Sequence, residues 1–158
     1  MCATPEPGVL GRFRSLLPGL WAGLLLCVAL LAAPTVFALL APADAGRVVA
    51  RLLAQEAYAS LALGVTLLGL ERLAARHTAG AGLASQFSVG MVLCLGALFC
   101  TVAGYFALQP LMAQARAGQG PLSFGQLHAL SAAFFIVKTG LVLALVWRAA
   151  RPGATVQA

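Results

Sequence analysis

Residues 123–148 read SFGQLHALSAAFFIVKTGLVLALVWR, and the rest of the chain is interpreted outward from this stretch. It is apolar enough and long enough to cross a hydrocarbon core about 30 Å thick as an α-helix. Ser123-Phe124-Gly125-Gln126 has the S-x-x-Q form of a capping box, which sets the start of the helix. The same stretch carries His128, Ser131 and Lys138. At about 100° per residue these three fall within about 80° of one another, on one side of the helix. Lys138 is the only lysine in the chain. A lysine at the centre of a spanning helix costs roughly 2.5–3.5 kcal/mol on the insertion scale, so by default it marks a functional or paired position.

Composition extends this reading to the whole molecule. Of 158 residues, 61% are hydrophobic and 9% charged, and the mean hydropathy is +0.96. Soluble domains carry roughly 25% charge, so this chain has too few polar groups to cover a surface facing water. The expectation is an all-α, polytopic membrane protein folded as a four-helix transmembrane bundle over residues 16–150. Its spans are expected at about residues 16–40, 50–70, 87–108 and 127–148, with polar tails at 1–15 and 151–158.

Local signals set the joints. Arg12 and Arg14 precede the first apolar run, and Ala43-Asp44-Ala45 resembles a cleavage site. The run is longer than the roughly 7–15 residues of a signal h-region, so it is expected to remain as a helix. Pro34 inside it predicts a kink. Asp44 and Ser85 are the expected N-caps of the second and third helices. Glu71, Arg72, Arg76 and His77 mark the exit of the second helix into water. Gly118-Gln119-Gly120-Pro121 is a turn. Small residues recur at four-residue spacing in Gly19/Gly23/Cys27, Ser60/Gly64, Gly96/Cys100/Gly104 and Gly140/Ala144, a pattern that lets helices approach closely in lipid.

The net charge of +6 comes without a basic patch interleaved with aromatics, so no nucleic-acid partner is expected. The expected partners are the bilayer itself, a second copy of the chain or other membrane proteins. With Arg12, Arg14, Arg72, Arg76, Arg148 and Arg151 on one side and Arg47, Arg51 and Arg116 on the other, the positive-inside bias places both termini in the cytoplasm of a bacterial inner membrane. Cys2, Cys27, Cys94 and Cys100 form no CxxC pair and read as small apolar residues. No Walker loop, G-x-S-x-G, H-E-x-x-H or dinucleotide fingerprint occurs. No metal or cofactor is expected.

Glu56 lies about as deep along the second helix as Lys138 does along the fourth, and an unpaired charge at that depth is expensive. The two are therefore natural partners, either as a clamp between helices or as the centre of a binding site or polar pathway. Gln55, Ser131 and His128 extend a polar cluster toward the outer side. The favoured function is small-molecule or ion binding related to transport. A structural or assembly factor is the alternative, and an enzyme or redox carrier ranks last because no catalytic constellation is present.

Trp21, then Ala33-Pro34-Thr35-Val36-Phe37, then Ala45-Gly46-Arg47, and later Phe124-x-x-Leu127-His128-x-x-Ser131, together resemble a bacterial membrane family of unknown function related to eukaryotic transmembrane protein 205. The resemblance covers about residues 20–150 and implies a four-helix integral membrane protein without an assigned reaction. Pro34, Phe37 and Gly46 are its structural motif positions. Four residues after the motif serine the family carries an asparagine where this chain has Phe135, which moves the polar role to Lys138 or abolishes it.

Overall fold

Apolar helices account for most of residues 9–79 and 88–151, the parts of the chain that the computed structural model describes. Among the described residues, four stretches are long and apolar enough to cross a membrane: Gly11–Leu39, Pro42–Arg76, Val89–Arg116 and Phe124–Ala150. Their mean hydropathies are 2.4, 1.3, 2.2 and 2.2. The second value is lowest because that helix carries Glu56 and Glu71 and extends well beyond the expected apolar segment.

The first span consists of α1 (Val9–Leu26), a π-helical segment (Cys27–Ala32) and α2 (Ala33–Leu39). It begins earlier than the polarity of residues 1–15 suggested, because Arg12 and Arg14 are good helix formers and the single Gly11 costs only about 1 kcal/mol. The second span, α3 (Pro42–Ala79), starts ahead of Asp44. Proline is tolerated in a first turn, where its missing N–H has no intrahelical acceptor to serve. The backbone N–H groups of Asp44 and Ala45 both donate to the Ala41 carbonyl, at 3.0 and 2.9 Å. Asp44 is thus a first-turn residue rather than the N-cap, and its carboxylate pairs with Arg47 one turn on.

The third span comprises α4 (Val89–Thr101), a second π-helical segment (Val102–Ala107) and α5 (Leu108–Arg116). Ser88 caps α4, its hydroxyl accepting from the Met91 N–H at 3.2 Å. The expected cap Ser85 and the expected start at Phe87 lie outside the described residues. The fourth span, α6 (Phe124–Ala150), opens with the capping box read from sequence. The Ser123 hydroxyl accepts from the Gln126 N–H at 3.3 Å, and the Gln126 side chain accepts from the Ser123 N–H at 3.0 Å.

Each π segment has a physical cause. Pro34 and Pro110 lack the N–H that would serve the carbonyls of Leu30 and Phe106, and their rings crowd those carbonyls. Leu30 and Phe106 both fall inside the π segments, so the helices widen locally where proline removes a bond. The kink expected at Pro34 takes this form. In the third span the Leu108 N–H turns back to the Tyr105 carbonyl. The Gly104 carbonyl is then served from α6, by the Ser131 hydroxyl at 2.7 Å.

The spans run alternately up and down. α1 packs against α3 and α6, and α4 packs against the same two. The ring so formed sets α3 and α6 diagonally across the bundle. The end holding Val9, Ala79, Val89 and Ala150 is here called the floor end, and the end holding Leu39, Pro42, Arg116 and Phe124 the mouth end. The floor half is filled by two apolar clusters. One joins Trp21, Ala22, Leu25, Ala97 and Val142, and the other joins Leu67, Cys94 and Leu145. Leu20, Leu31, Phe99, Ile136 and Trp147 are exposed on the outside, as lipid-facing positions of a spanning bundle should be.

The small-residue stripes divide into two kinds. A Cβ at Gly64 would come within 2.7 Å of Leu98 and 2.9 Å of Trp21, one at Gly96 within 3.1 Å of Leu141, and one at Gly104 within 2.5 Å of the Phe134 Cβ. These glycines set the closeness of the helices. At Gly19, Gly23 and Gly140 a Cβ would meet nothing within 4 Å, so those stripes do not hold this bundle together. At the floor end Glu71 is more than an exit residue. It accepts from Arg14 Nε at 3.0 Å and from the Ser88 hydroxyl at 3.2 Å, tying three spans together.

Gly104→Ala is expected to destabilise the protein in detergent by about 1–3 kcal/mol, because the Cβ of Phe134 cannot swing away. Gly46→Ala, where a Cβ meets nothing within 4 Å, should be neutral or slightly stabilising through helix propensity. Thermal unfolding of the two variants side by side checks this.

Candidate functional site

Glu56 and Lys138 are delivered to one level by helices of opposite direction. At about 1.5 Å per residue, Glu56 lies about 21 Å below Pro42 and Lys138 about 21 Å below Phe124. Lys138 Nζ donates to both carboxylate oxygens of Glu56, at 2.7 Å to Oε1 and 2.9 Å to Oε2. The side chains are only 3% and 4% exposed. The bond crosses the diagonal of the ring, linking the second and fourth spans through its interior.

The pair is part of a longer chain of donors and acceptors. One turn below Glu56, Ser60 donates its hydroxyl to Oε1. Trp21 Nε1 in turn donates to the Ser60 hydroxyl at 2.8 Å. Trp21 and Ser60 are both buried. The Phe135 ring lies under Lys138 Nζ at 4.8 Å from its centroid, a favourable cation–π placement. Three spans therefore contribute to one connected polar unit. Among the described residues, no buried side-chain nitrogen or oxygen lacks a hydrogen-bond partner.

Above this unit the bundle opens into a cavity of about 1040 Å³ lined by all four spans. Its walls include Val28 and Phe37 from the first span, Gly46, Arg47 and Leu53 from the second, Thr101, Tyr105, Gln109 and Arg116 from the third, and Phe124, His128 and Ser131 from the fourth. Glu56 and Lys138 line its base. Immediately below them the Trp21 cluster closes the interior with apolar side chains.

At the mouth, aromatic and basic groups stack. The Arg116 guanidinium lies 4.6 Å from the Phe124 centroid. The Phe124 and His128 rings are stacked at 5.8 Å with planes 18° apart.

The residues singled out from sequence thus separate by role. Lys138 and Glu56 bond directly, and Ser131 and His128 line the same cavity. Ser131 also spends its hydroxyl on Gly104. Gln55 is exposed and does not line the cavity, because it lies about 100° around α3 from Glu56. Of the motif positions, Phe37 and Gly46 line the cavity, and Pro34 acts on the backbone above the first π segment. Cys27 is exposed, while Cys94 and Cys100 are buried and free.

Sequence reasoning left two members of the polar unit unassigned. Ser60 was readable, since a residue four after Glu56 shares its helix face. Trp21 required knowledge of which helices are neighbours.

Removing one partner should leave a buried charge stranded. Lys138→Met alone and Glu56→Gln alone are each expected to cost about 3–5 kcal/mol. The double variant should recover much of that loss. A double-mutant cycle on thermal stability in detergent measures the coupling, and additive losses would contradict the geometry. Ser60→Ala, which leaves Trp21 Nε1 without its acceptor, should cost about 1–3 kcal/mol in the same assay.

No curated protein matches this chain. No solved structure matches it either. A family model does match, over residues 16–121, about two thirds of the 158-residue chain. That stretch holds Trp21, Glu56, Ser60 and most of the cavity wall, while Lys138 lies beyond it. The chain belongs to the family described as a domain of unknown function, DUF4149.

Proposed function

We propose that this multi-pass membrane protein is a ligand-binding component of the bilayer, taking a small molecule through its mouth into the cavity above the Glu56–Lys138 pair. The observation that carries the reading is the joining of a cavity of about 1040 Å³ to a buried, oppositely charged pair at its base. A bundle that needed the pair only as a clamp could pack its mouth half as tightly as its floor half. Ligand sites have the character seen here, with mostly apolar walls, a few placed polar groups and a preformed shape.

The motif positions also support the reading. Phe37, Gly46, Arg47, Phe124, His128 and Ser131 come from three spans and line one cavity. These are also the positions that carry the resemblance to the family of transmembrane protein 205. Because the apolar Trp21 cluster lies directly below the pair, the site is a cul-de-sac rather than an open channel.

A second reading, a purely structural clamp, is favoured by one observation: Lys138 donates to both carboxylate oxygens of Glu56 and Ser60 donates to one of them, so the pair satisfies itself.

Arginine placement orients the site. Arg12, Arg14, Arg72, Arg76, Arg148 and Arg151 lie toward the floor end, and Arg47, Arg51 and Arg116 lie toward the mouth. By the positive-inside rule the floor end faces the cytoplasm and the cavity opens outward.

Two measurements test these statements. Ala132 lines the cavity, so Ala132→Phe should fill part of it. Protein held in lipid nanodiscs is extracted and its small-molecule content quantified by mass spectrometry. Wild type should retain a bound molecule that Ala132→Phe loses while still folding, as a cooperative thermal transition would show. Equal content in the two proteins would leave the clamp as the better account. Reporter fusions after Arg116 and at the C-terminus should give extracytoplasmic and cytoplasmic signals respectively, and the reverse pattern would turn the cavity toward the cytoplasm.

A further inference from the structure

Hydrogen-bonding capacity is distributed unevenly along the cavity. At its base Glu56 accepts from Lys138 and Ser60, Ser60 accepts from Trp21, and the Thr101 hydroxyl is spent on the Ala97 carbonyl at 2.9 Å. Between the mouth and the base the wall is largely apolar, with Ala33, Val49, Ala50 and Ala132 lining it.

At the mouth the capacity is unspent. Among the described residues, the side chains of Arg116 and His128 form no hydrogen bond with protein groups, although both line the cavity. Stacking on Phe124 occupies one face of the Arg116 guanidinium. Its N–H groups lie in the plane of the guanidinium and stay available for a carboxylate, which they can bind in bidentate fashion.

The charges at the mouth do not cancel. Asp44 neutralises Arg47, and no other carboxylate among the described residues faces Arg116. Glu71 is held at the opposite end by Arg14, and Glu56 is held by Lys138.

From this polarity profile we infer that the cavity binds a single-chain amphiphile with an anionic carboxylate head. The head meets Arg116, with His128 beside it, and the acyl chain runs down the apolar walls toward the ion pair. A ligand polar at its deep end would meet a carboxylate, an ammonium and a Thr101 hydroxyl that are already bonded to protein groups. A neutral apolar ligand would leave the mouth donors unused. The distance from the level of Phe124 to that of Lys138, about 21 Å at 1.5 Å per residue, accommodates an extended acyl chain. Occupancy leaves the Glu56–Lys138 bond intact, so the pair serves as a shielded floor. This inference rests on the ligand-binding reading above and specifies the chemistry of its ligand.

The test is equilibrium binding of a fluorescent long-chain fatty acid to the full chain in nanodiscs of zwitterionic lipid. Wild type should bind it saturably. Arg116→Gln should weaken binding by about tenfold or more, the loss expected of one charge-assisted contact. Arg72→Gln, at the floor end, should bind as wild type does. The fatty alcohol of equal length should compete poorly against wild type.

Three outcomes would overturn the inference: equal competition by the alcohol, unchanged affinity in Arg116→Gln, or displacement by a diacyl anionic phospholipid but not by the free fatty acid. Loss of a co-purified molecule in Ala132→Phe, with that molecule proving not to be an anionic amphiphile, would overturn this inference and leave the ligand-binding reading standing. Equal content in wild type and Ala132→Phe would remove both.

Discussion

A carboxylate and an ammonium held together deep in a low-dielectric bundle impose the constraint on which the rest of this structure depends. Neither charge is tolerable alone at that depth, and the pair is tolerable only where further donors satisfy the carboxylate. Glu56 and Lys138 meet this condition with Ser60 and Trp21. Because α3 and α6 are diagonal partners in the ring, the bond runs through the interior rather than along a helix–helix seam. Neighbouring spans can be held by packing against glycine, as Gly64, Gly96 and Gly104 show. The diagonal spans have no such seam at this level, and the ion pair bridges them.

The two halves of the bundle follow from that bridge. On the floor side the apolar clusters around Trp21 and Leu67 fill the space between the helices. On the mouth side, Pro34 and Pro110 interrupt the first and third spans with π segments, and the cavity occupies the level those segments border. Irregular backbone in a membrane protein survives only where protein or a cavity satisfies its carbonyls. Ser131 provides this at Gly104, so a side chain that lines the cavity also stabilises the irregular helix beside it.

The sequence made the four-helix membrane fold legible because long apolar runs have few alternatives in lipid. It also pointed to Glu56 and Lys138, since two charges of opposite sign at matching depth are visible from helical rise alone. Boundaries were less legible. Asp44 has the chemistry of an N-cap, but Pro42 starts the helix earlier and makes Asp44 a first-turn partner of Arg47. Gln55 has the right depth for the site and the wrong face, and only the rotation about α3 separates it from Glu56. The mouth cluster of Arg116, Phe124 and His128 was not readable as a unit. It joins residues across a turn whose geometry no periodicity encodes, and polarity near a helix end is ordinary.

The Trp21–Ser60 hydrogen bond gives the molecule an optical readout of its own interior. The chain has two tryptophans. Trp147 is 66% exposed on the outside of the bundle and Trp21 is 1% exposed. The first samples the surrounding lipid or detergent, while the indole N–H of the second is joined through Ser60 to Glu56. An indole's emission depends on the charge and hydrogen bonding around it, so the buried component of the intrinsic fluorescence is coupled to the state of the carboxylate. With Trp147 replaced by phenylalanine, the remaining signal would follow rearrangements at the centre of the membrane without any added label.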